Sequence, residues 1–409
     1  MTAPALSGKS VAILWTKFLP YHVARIRHLR KRLLEIGWRL TAIEVASKDA
    51  LYPFPETPGV PGENYLCLFS GKSYRALSAS KIHAVVLRAL SRLQPDVVFA
   101  PSTPFPSGMA AIKYCLVSDR LSVMMDDAWE CSDRRGWIVS QAKTIIHNNV
   151  DVAFVPAESH ASYYVGKGFP KERIVCSVDV VDNDFYARGA AAARSDEATL
   201  RAALGLPERY FLFVGRFIRR KGLTTLLEAY RRYSRAMSGN SWGLVLVGEG
   251  EDLRMHETMM AKYPLVKFVG GKFGEEICPY YALAGALVLP SEVETWGLVV
   301  NEAMASGLPV IVSKGVGAGR ALVEEGRNGW TFEPGDAAAL ALLMERVATL
   351  SDDERRAIKV RSEESVGRYT LDTFADSAIR AANMPRRERR NLTANLLTKF
   401  WTGRISFYP

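Results

Sequence analysis

The sequence predicts an α/β protein of two doubly wound domains, each built on a parallel sheet. Three observations point there. The chain has 409 residues, too long for one ordinary domain and comfortable for two. Short apolar runs alternate with helical stretches, and the alternation restarts after Leu206-Pro207; strands alternating with helices make a parallel sheet covered on both faces. In the second half each apolar run ends in Gly, Ser or Pro, at the strand ends where open α/β sheets take ligands.

The first half supplies strands at Val11–Leu14, Leu40–Val45, Asp96–Ala100, Leu121–Met125, Val152–Val155 and Arg173–Val178. A basic helix is expected from about His22 to Glu35, and the loop Pro101–Ser107 follows the third of these strands. Arg188–Glu208 is rich in Ala and charge and reads as a helix and a linker, which sets a domain boundary between residues 205 and 206. The second half supplies strands at Tyr210–Val214, Leu244–Val247, Val266–Val269, Ala286–Leu289 and Pro309–Val312, with an amphipathic helix over Leu223–Arg235. The expected domains are therefore 1–205 and 206–375, followed by a tail of mixed helical and basic segments, 376–409.

Composition is that of a globular protein, 48% hydrophobic and 23% charged. The net charge of +10 suits nucleic acid, an anionic membrane or phosphorylated substrates. No basic stripe interleaved with aromatics supports nucleic acid, so that partner is not expected. Cys67, Cys115, Cys131, Cys176 and Cys278 are odd in number and none forms a C-x-x-C pair; this is neither a disulfide framework nor a zinc pattern. Met1–Ser10 is polar, without a signal-peptide core, and no apolar run approaches the roughly 20 residues that span a bilayer. A cytoplasmic protein is expected, with any membrane contact peripheral, at the inner face.

Two motifs carry chemistry. Gly215-Arg216-Phe217-Ile218-Arg219-Arg220-Lys221-Gly222 places a glycine at a strand end, with cations before a helix. Glycine lets a bulky anion approach the backbone, and a helix start offers unpaired N–H groups. Arg216 gives a forked contact and Lys221 a point charge, which together suit a diphosphate. A solvated basic turn has the same composition. The second motif runs from Pro290 to Glu302 and contains Glu294 and Glu302, eight residues apart. If a helix starts near Gly297, both carboxylates can face one ligand across the N–H groups of Trp296, Gly297 and Leu298. A capped helix with surface carboxylates fits the spacing too. In the first half, His22 and Arg25 lie one turn apart after the first strand, and Asp126 and Asp127 close the strand Leu121–Met125; these four are the candidates to meet a ligand from this half, beside the plainer readings of a structural histidine and a loop turn. The cluster Arg25, Arg27, Arg30, Lys31, Arg32 reads as a solvated helix face or one lying against anionic lipid.

Taken in order, Arg216 with Lys221, Gly248-Glu249-Gly250, Glu294-x7-Glu302, Ala303–Val310 and Asn328–Asp336 resemble the retaining glycosyltransferases of family 4, glycosyl transferases group 1. The match is strong over Tyr210 to about Val347 and weak in the first half, through Tyr21–Arg25 and Val181-Asp182-Asn183. The resemblance implies the GT-B fold, two Rossmann-like domains facing a cleft, with the tail packing back on the first domain. It implies a nucleoside-diphosphate sugar as donor, a saccharide or lipid-linked acceptor, and no cofactor or metal. Arg216 and Lys221 would bind the diphosphate, with Gly215 beside them. Glu294 would hold the donor sugar together with the backbone of Thr295, Trp296, Gly297 and Leu298. Glu302 would hold the ribose, and the loop of Gly271 and Lys272 would border the base. Many relatives carry a histidine where this chain has Asp126 and then Asp127, so Asp126 is the candidate to contact the sugar instead. The rival within the fold is a sugar-nucleotide epimerase, which needs no acceptor.

Overall fold

A computed structural model describes residues 8–49, 64–132, 137–388 and 392–403. The strands are β1 Ser10–Trp15, β2 Arg39–Lys48, β3 Tyr65–Ser73, β4 Val97–Pro101, β5 Leu121–Met125, β6 Val152–Val155 and β7 Ile174–Cys176. Then come β8 Tyr210–Val214, β9 Gly243–Val247, β10 Val266–Phe268, β11 Ala286–Leu289, β12 Val310–Ser313 and β13 Gly329–Phe332. The helices are α1 Pro20–Glu35, α2 Ala79–Leu93, α3 Pro106–Val117, α4 Trp137–His147, α5 Glu158–Gly166, α6 Asn183–Ser195, α7 Glu197–Leu204 and α8 Leu223–Ala236. They continue with α9 Leu253–Met260, α10 Cys278–Leu283, α11 Leu298–Ala305, α12 Gly317–Leu322, α13 Ala337–Ala348, α14 Asp352–Val366, α15 Leu371–Asn383 and α16 Leu392–Phe400.

Two parallel sheets result, in the orders β3-β2-β1-β4-β5-β6-β7 and β10-β9-β8-β11-β12-β13. The doubly wound class read from the sequence is present. The strand patterns explain it: β8 (Tyr-Phe-Leu-Phe-Val) and β4 (Val-Val-Phe-Ala-Pro) are buried along their whole length, as strands covered on both faces must be. Helix α8 repeats its buried Leu223, Leu226, Leu227, Tyr230 and Tyr233 at helical spacing and lays them on one face. Asp336 caps α13 through the N–H groups of Ala338 and Ala339, and Ser351 with Glu354 forms a capping box on α14.

Two strands were not in the expected set. β3 is an edge strand, half-exposed over Tyr65–Phe69, so its burial pattern shows no clean alternation. β13, the opposite edge of the second sheet, falls inside the Asn328–Asp336 motif.

The described residues of Met1–Ala128, Asp133–Val180 and Leu371–Pro409 form one compact unit, and those of Trp129–Ser132 and Val181–Thr370 form the other. The division falls at Val180/Val181 rather than at 205/206, because α6 and α7 pack on the second unit. Helix α6 lies on α10 and α11. Asn183 Nδ2 donates to the carbonyls of Val366 and Tyr369, and Arg194 Nε to that of Ala282. At the other end, α15 joins the first unit and lies on α1 and β5–β7, with Phe374 stacked on Phe154 at 5.4 Å between centroids.

That helix also changes the reading of the basic cluster on α1. Arg32 pairs with Asp372 and Asp376 of α15, and His28 with Asp372. Arg25 is turned inward and buried. Arg27 and Lys31 remain exposed and Arg30 is half-buried, so only part of the cluster forms the outward basic face read from the sequence.

Candidate donor site

In each sheet the strand order reverses once, between β1 and β4 and between β8 and β11. Ligands of open α/β sheets bind outside the carboxyl ends at this reversal. In the second unit those ends are Gly215-Arg216 after β8 and Pro290-Ser291 after β11, so topology delivers both predicted motifs to one place.

Glycines set how closely the loops approach. A Cβ on Gly222, at φ +68°, would lie 2.1 Å from the Pro290 carbonyl oxygen, and one on Gly248 would lie 1.8 Å from that of Gly215. The bare backbones let the β8 loop nest between its neighbours, where Phe217 N–H donates to the Glu249 carbonyl at 2.8 Å and Glu292 N–H to that of Arg220 at 2.8 Å.

This nesting joins Lys221 to Glu294. The ammonium pairs directly with the Glu294 carboxylate, to which the Ser291 hydroxyl also donates. Burial acts to raise the Glu294 carboxyl, but Lys221, with Arg220 and Ser291, outweighs it and holds the group below its ordinary value. Arg216 stands half-buried at the end of β8. Gly297, at φ +100°, begins α11, and no side chain caps that helix. Trp296 is a core residue: its ring is buried, its indole N–H donates to Asn301 Oδ1 at 2.9 Å, and its carbonyl accepts from Ala318 N–H. Only its backbone could serve the ligand role expected of it. Thr295 and Leu298 are half-buried.

Glu302 sits in the second turn of α11 and accepts from the Tyr281 hydroxyl at 2.6 Å; the Tyr186 hydroxyl also reaches it. Burial raises its carboxyl above the ordinary value, and the two hydroxyls offset only part of this. Gly271 N–H points at Glu249 Oε1 at 3.4 Å, and Lys272 is half-buried beside it. Tyr281 and Tyr186 were not singled out from the sequence, and Glu249 and Ser291, though inside the quoted motifs, were given no role; their contacts come from the fold.

A raised Glu302 carboxyl costs stability wherever it is ionised. The acid's favourable contribution is complete below its unfolded value and is lost as pH rises through the folded one. Glu302→Gln is therefore expected to raise the melting temperature at pH 8, and less at pH 5. Differential scanning fluorimetry at the two pH values checks the sign; a variant less stable at pH 8 would overturn it.

In the first unit, His22 is stacked on Trp15 at 4.5 Å, and burial, then Arg25, hold its imidazole well below the ordinary value. Its Nδ1 lies 3.2 Å from Leu19 N–H and 3.1 Å from the Lys17 carbonyl, partners that ask for opposite tautomers. Arg25 is 1% exposed; it pairs with Asp179 at 3.2 Å and donates to the Val180 carbonyl at 2.9 Å. Asp126 is buried against Lys143 at 3.3 Å and accepts from the Tyr164 hydroxyl. Arg25 and Asp126, proposed from sequence as ligand contacts, are both engaged in holding this unit together. Asp127 is half-buried beside them.

Two parallel doubly wound sheets, each reversing its strand order once, give the chain the GT-B fold. A structure of Anabaena HepE in complex with UDP and glucose superposes with a TM-score of 0.72 at 17% identity, over 91% of this chain and 99% of that one. Residues 196–364, which lie within the second unit, match the family of glycosyl transferases group 1. The chain is 27% identical to the sulfoquinovosyl transferase of Arabidopsis thaliana over 297 residues, 68% of this chain and 55% of that protein. It is 35% identical to the amylovoran biosynthesis glycosyltransferase of Erwinia amylovora over 158 residues, 36% and 38% of the two chains. The chain spans about half the length of the curated relatives it matches.

Proposed function

We propose that the protein is a retaining transferase of family 4 that moves a hexose-type sugar from a nucleoside diphosphate to a saccharide or lipid-linked acceptor. The observation that carries this is the Lys221–Glu294 pair at the β8/β11 switch point, with Arg216 on the neighbouring strand end. As the bond from the anomeric carbon to the diphosphate breaks, negative charge grows on the leaving oxygen. Arg216, Lys221 and the first N–H groups of α11 meet that charge, and fixed donors stabilise it more than the ground state. These cations do the neutralising, so no metal is required. Glu294, kept ionised, accepts hydrogen bonds from sugar hydroxyls; Glu302 takes the ribose, and Gly271 and Lys272 border the base. The acceptor hydroxyl attacks the face from which the diphosphate departs, and the anomeric configuration is retained without an enzymic nucleophile.

The setting we propose is bacterial cell-surface polysaccharide synthesis, at the inner face of the membrane; the amylovoran role named for one relative and the +10 charge support it. Among the described residues no helix is long and apolar enough to cross a membrane, so the contact would be peripheral. The experiment is a thermal-shift panel of UDP, GDP, ADP and their sugar conjugates. A ligand that binds only the folded state raises the melting temperature by mass action. One nucleotide family is expected to raise it, and Arg216→Ala to abolish the shift. No shift with any member would refute the donor site.

A further inference from the structure

Glu294 is gripped by its backbone as well as by its side chain. Its N–H donates to the Gly315 carbonyl at 2.8 Å, and its own carbonyl accepts from Gly317 N–H at 3.1 Å, in an isolated parallel bridge with Val316. The same carbonyl accepts from a side chain: Trp129 Nε1, at 3.1 Å. Trp129 comes from the stretch that follows β5, yet Trp129–Ser132 is part of the second unit.

The indole is placed firmly. It is 1% exposed. Its turn closes on itself: Trp129 N–H donates to Ser132 Oγ at 2.9 Å, while Ser132 N–H and Oγ donate back to the Trp129 carbonyl at 3.0 and 2.8 Å. The Arg320 guanidinium lies 5.2 Å from the ring centre and pairs with Glu130 at 3.6 Å. An indole N–H has one use here, to donate, and its acceptor is the main chain of the residue that pairs with Lys221.

The geometry points to Trp129 as a positioning residue for donor-sugar recognition. Its hydrogen bond fixes the backbone from which the Glu294 carboxylate reaches, while the Lys221 and Ser291 contacts fix the far end. A displacement of about 1 Å at such a carboxylate is costly for recognition. Trp129 would act on the sugar alone, because the diphosphate and ribose are held by other residues. The inference rests on the sugar-binding role proposed above for Glu294.

The test is calorimetric titration of Trp129→Phe, which keeps the ring and removes the donor. The probes are UDP, GDP and ADP, each beside its glucose or mannose conjugate. For the pair that binds wild type, the conjugate is expected to weaken about tenfold, the scale of one hydrogen bond, with the bare nucleotide changed less than twofold. In a Glu294→Ala background the same substitution should leave both affinities unmoved, since the coupling has lost its object. Equal loss for conjugate and nucleotide, undiminished loss in the Glu294→Ala background, or no loss at all would each overturn the inference while the donor site stands. Should Trp129→Phe not fold, Arg320→Gln frees the ring from outside, with the same pattern expected at smaller size. If no probe binds wild type, the nucleotide-sugar reading itself fails and takes this inference with it.

Discussion

Lys221→Ala is expected to lower kcat by about 10²–10³-fold, the loss that follows removal of one donor to developing negative charge. Two consequences of the Lys221–Glu294 pair combine in that loss. In the mechanism proposed, the leaving diphosphate forfeits a cation at the moment its charge grows. The Glu294 carboxylate, whose low value depends on Lys221 outweighing its burial, is left buried without that counter-charge and moves towards its protonated form. Lys221→Arg keeps the charge and should recover part of the rate. Steady-state turnover of the three proteins with the donor identified by thermal shift makes the measurement, and a near-wild-type kcat in Lys221→Ala would remove Lys221 from the chemistry.

The second large effect concerns stability. Asp126 and Lys143 are a buried pair, with side chains 7% and 9% exposed, and the Asp126 carboxylate also accepts from Tyr164 and from Ala128 N–H. Asp126→Asn leaves the ammonium buried without its partner, a change that costs about 3–5 kcal/mol. The sign with pH follows from the direction of the shift. Burial works to raise this carboxyl, but Lys143 and Tyr164 prevail and hold it below its ordinary value. Its contribution is therefore complete above the unfolded value, about 3.9, and is lost as pH falls through the folded one. Urea unfolding should show the full gap between wild type and variant at pH 7, nearly the same gap at pH 5, and a closing gap below pH 4. Unchanged stability with lost activity would instead return Asp126 to the ligand role read from the sequence.

The difference between the two aspartate readings shows where sequence is informative. Strands β5, β6, β8 and β11 run as their apolar runs predict, because strands buried on both faces write their burial directly into composition. The Glu294 and Lys221 motifs were legible because local turns place them at strand ends, and strand ends are where such sheets act. Asp126 also stands at a strand end, and nothing near it in the chain reveals that Lys143 and Tyr164 will claim its oxygens. Arg25 is a like case: its partner, Asp179, stands 154 residues further along the chain, and nothing near Arg25 announces that pair. The boundary moved because the alanines and charges of α6 and α7 say that a helix forms but not which sheet it will cover; Asn183, Arg194 and Arg201 decide that by reaching carbonyls of the second unit. Trp129 was invisible, since a hydrogen bond to a residue 165 positions away leaves no periodic trace.

The three-segment make-up of the first unit bears on the order of biosynthesis. The second unit is almost wholly one uninterrupted stretch, Val181–Thr370, whereas the first is completed only by Leu371 and beyond. During translation the faces of α1 and β7 that α15 covers therefore stay open to solvent until α15 has left the ribosome. Emergence order and completion order are therefore inverted between the two units.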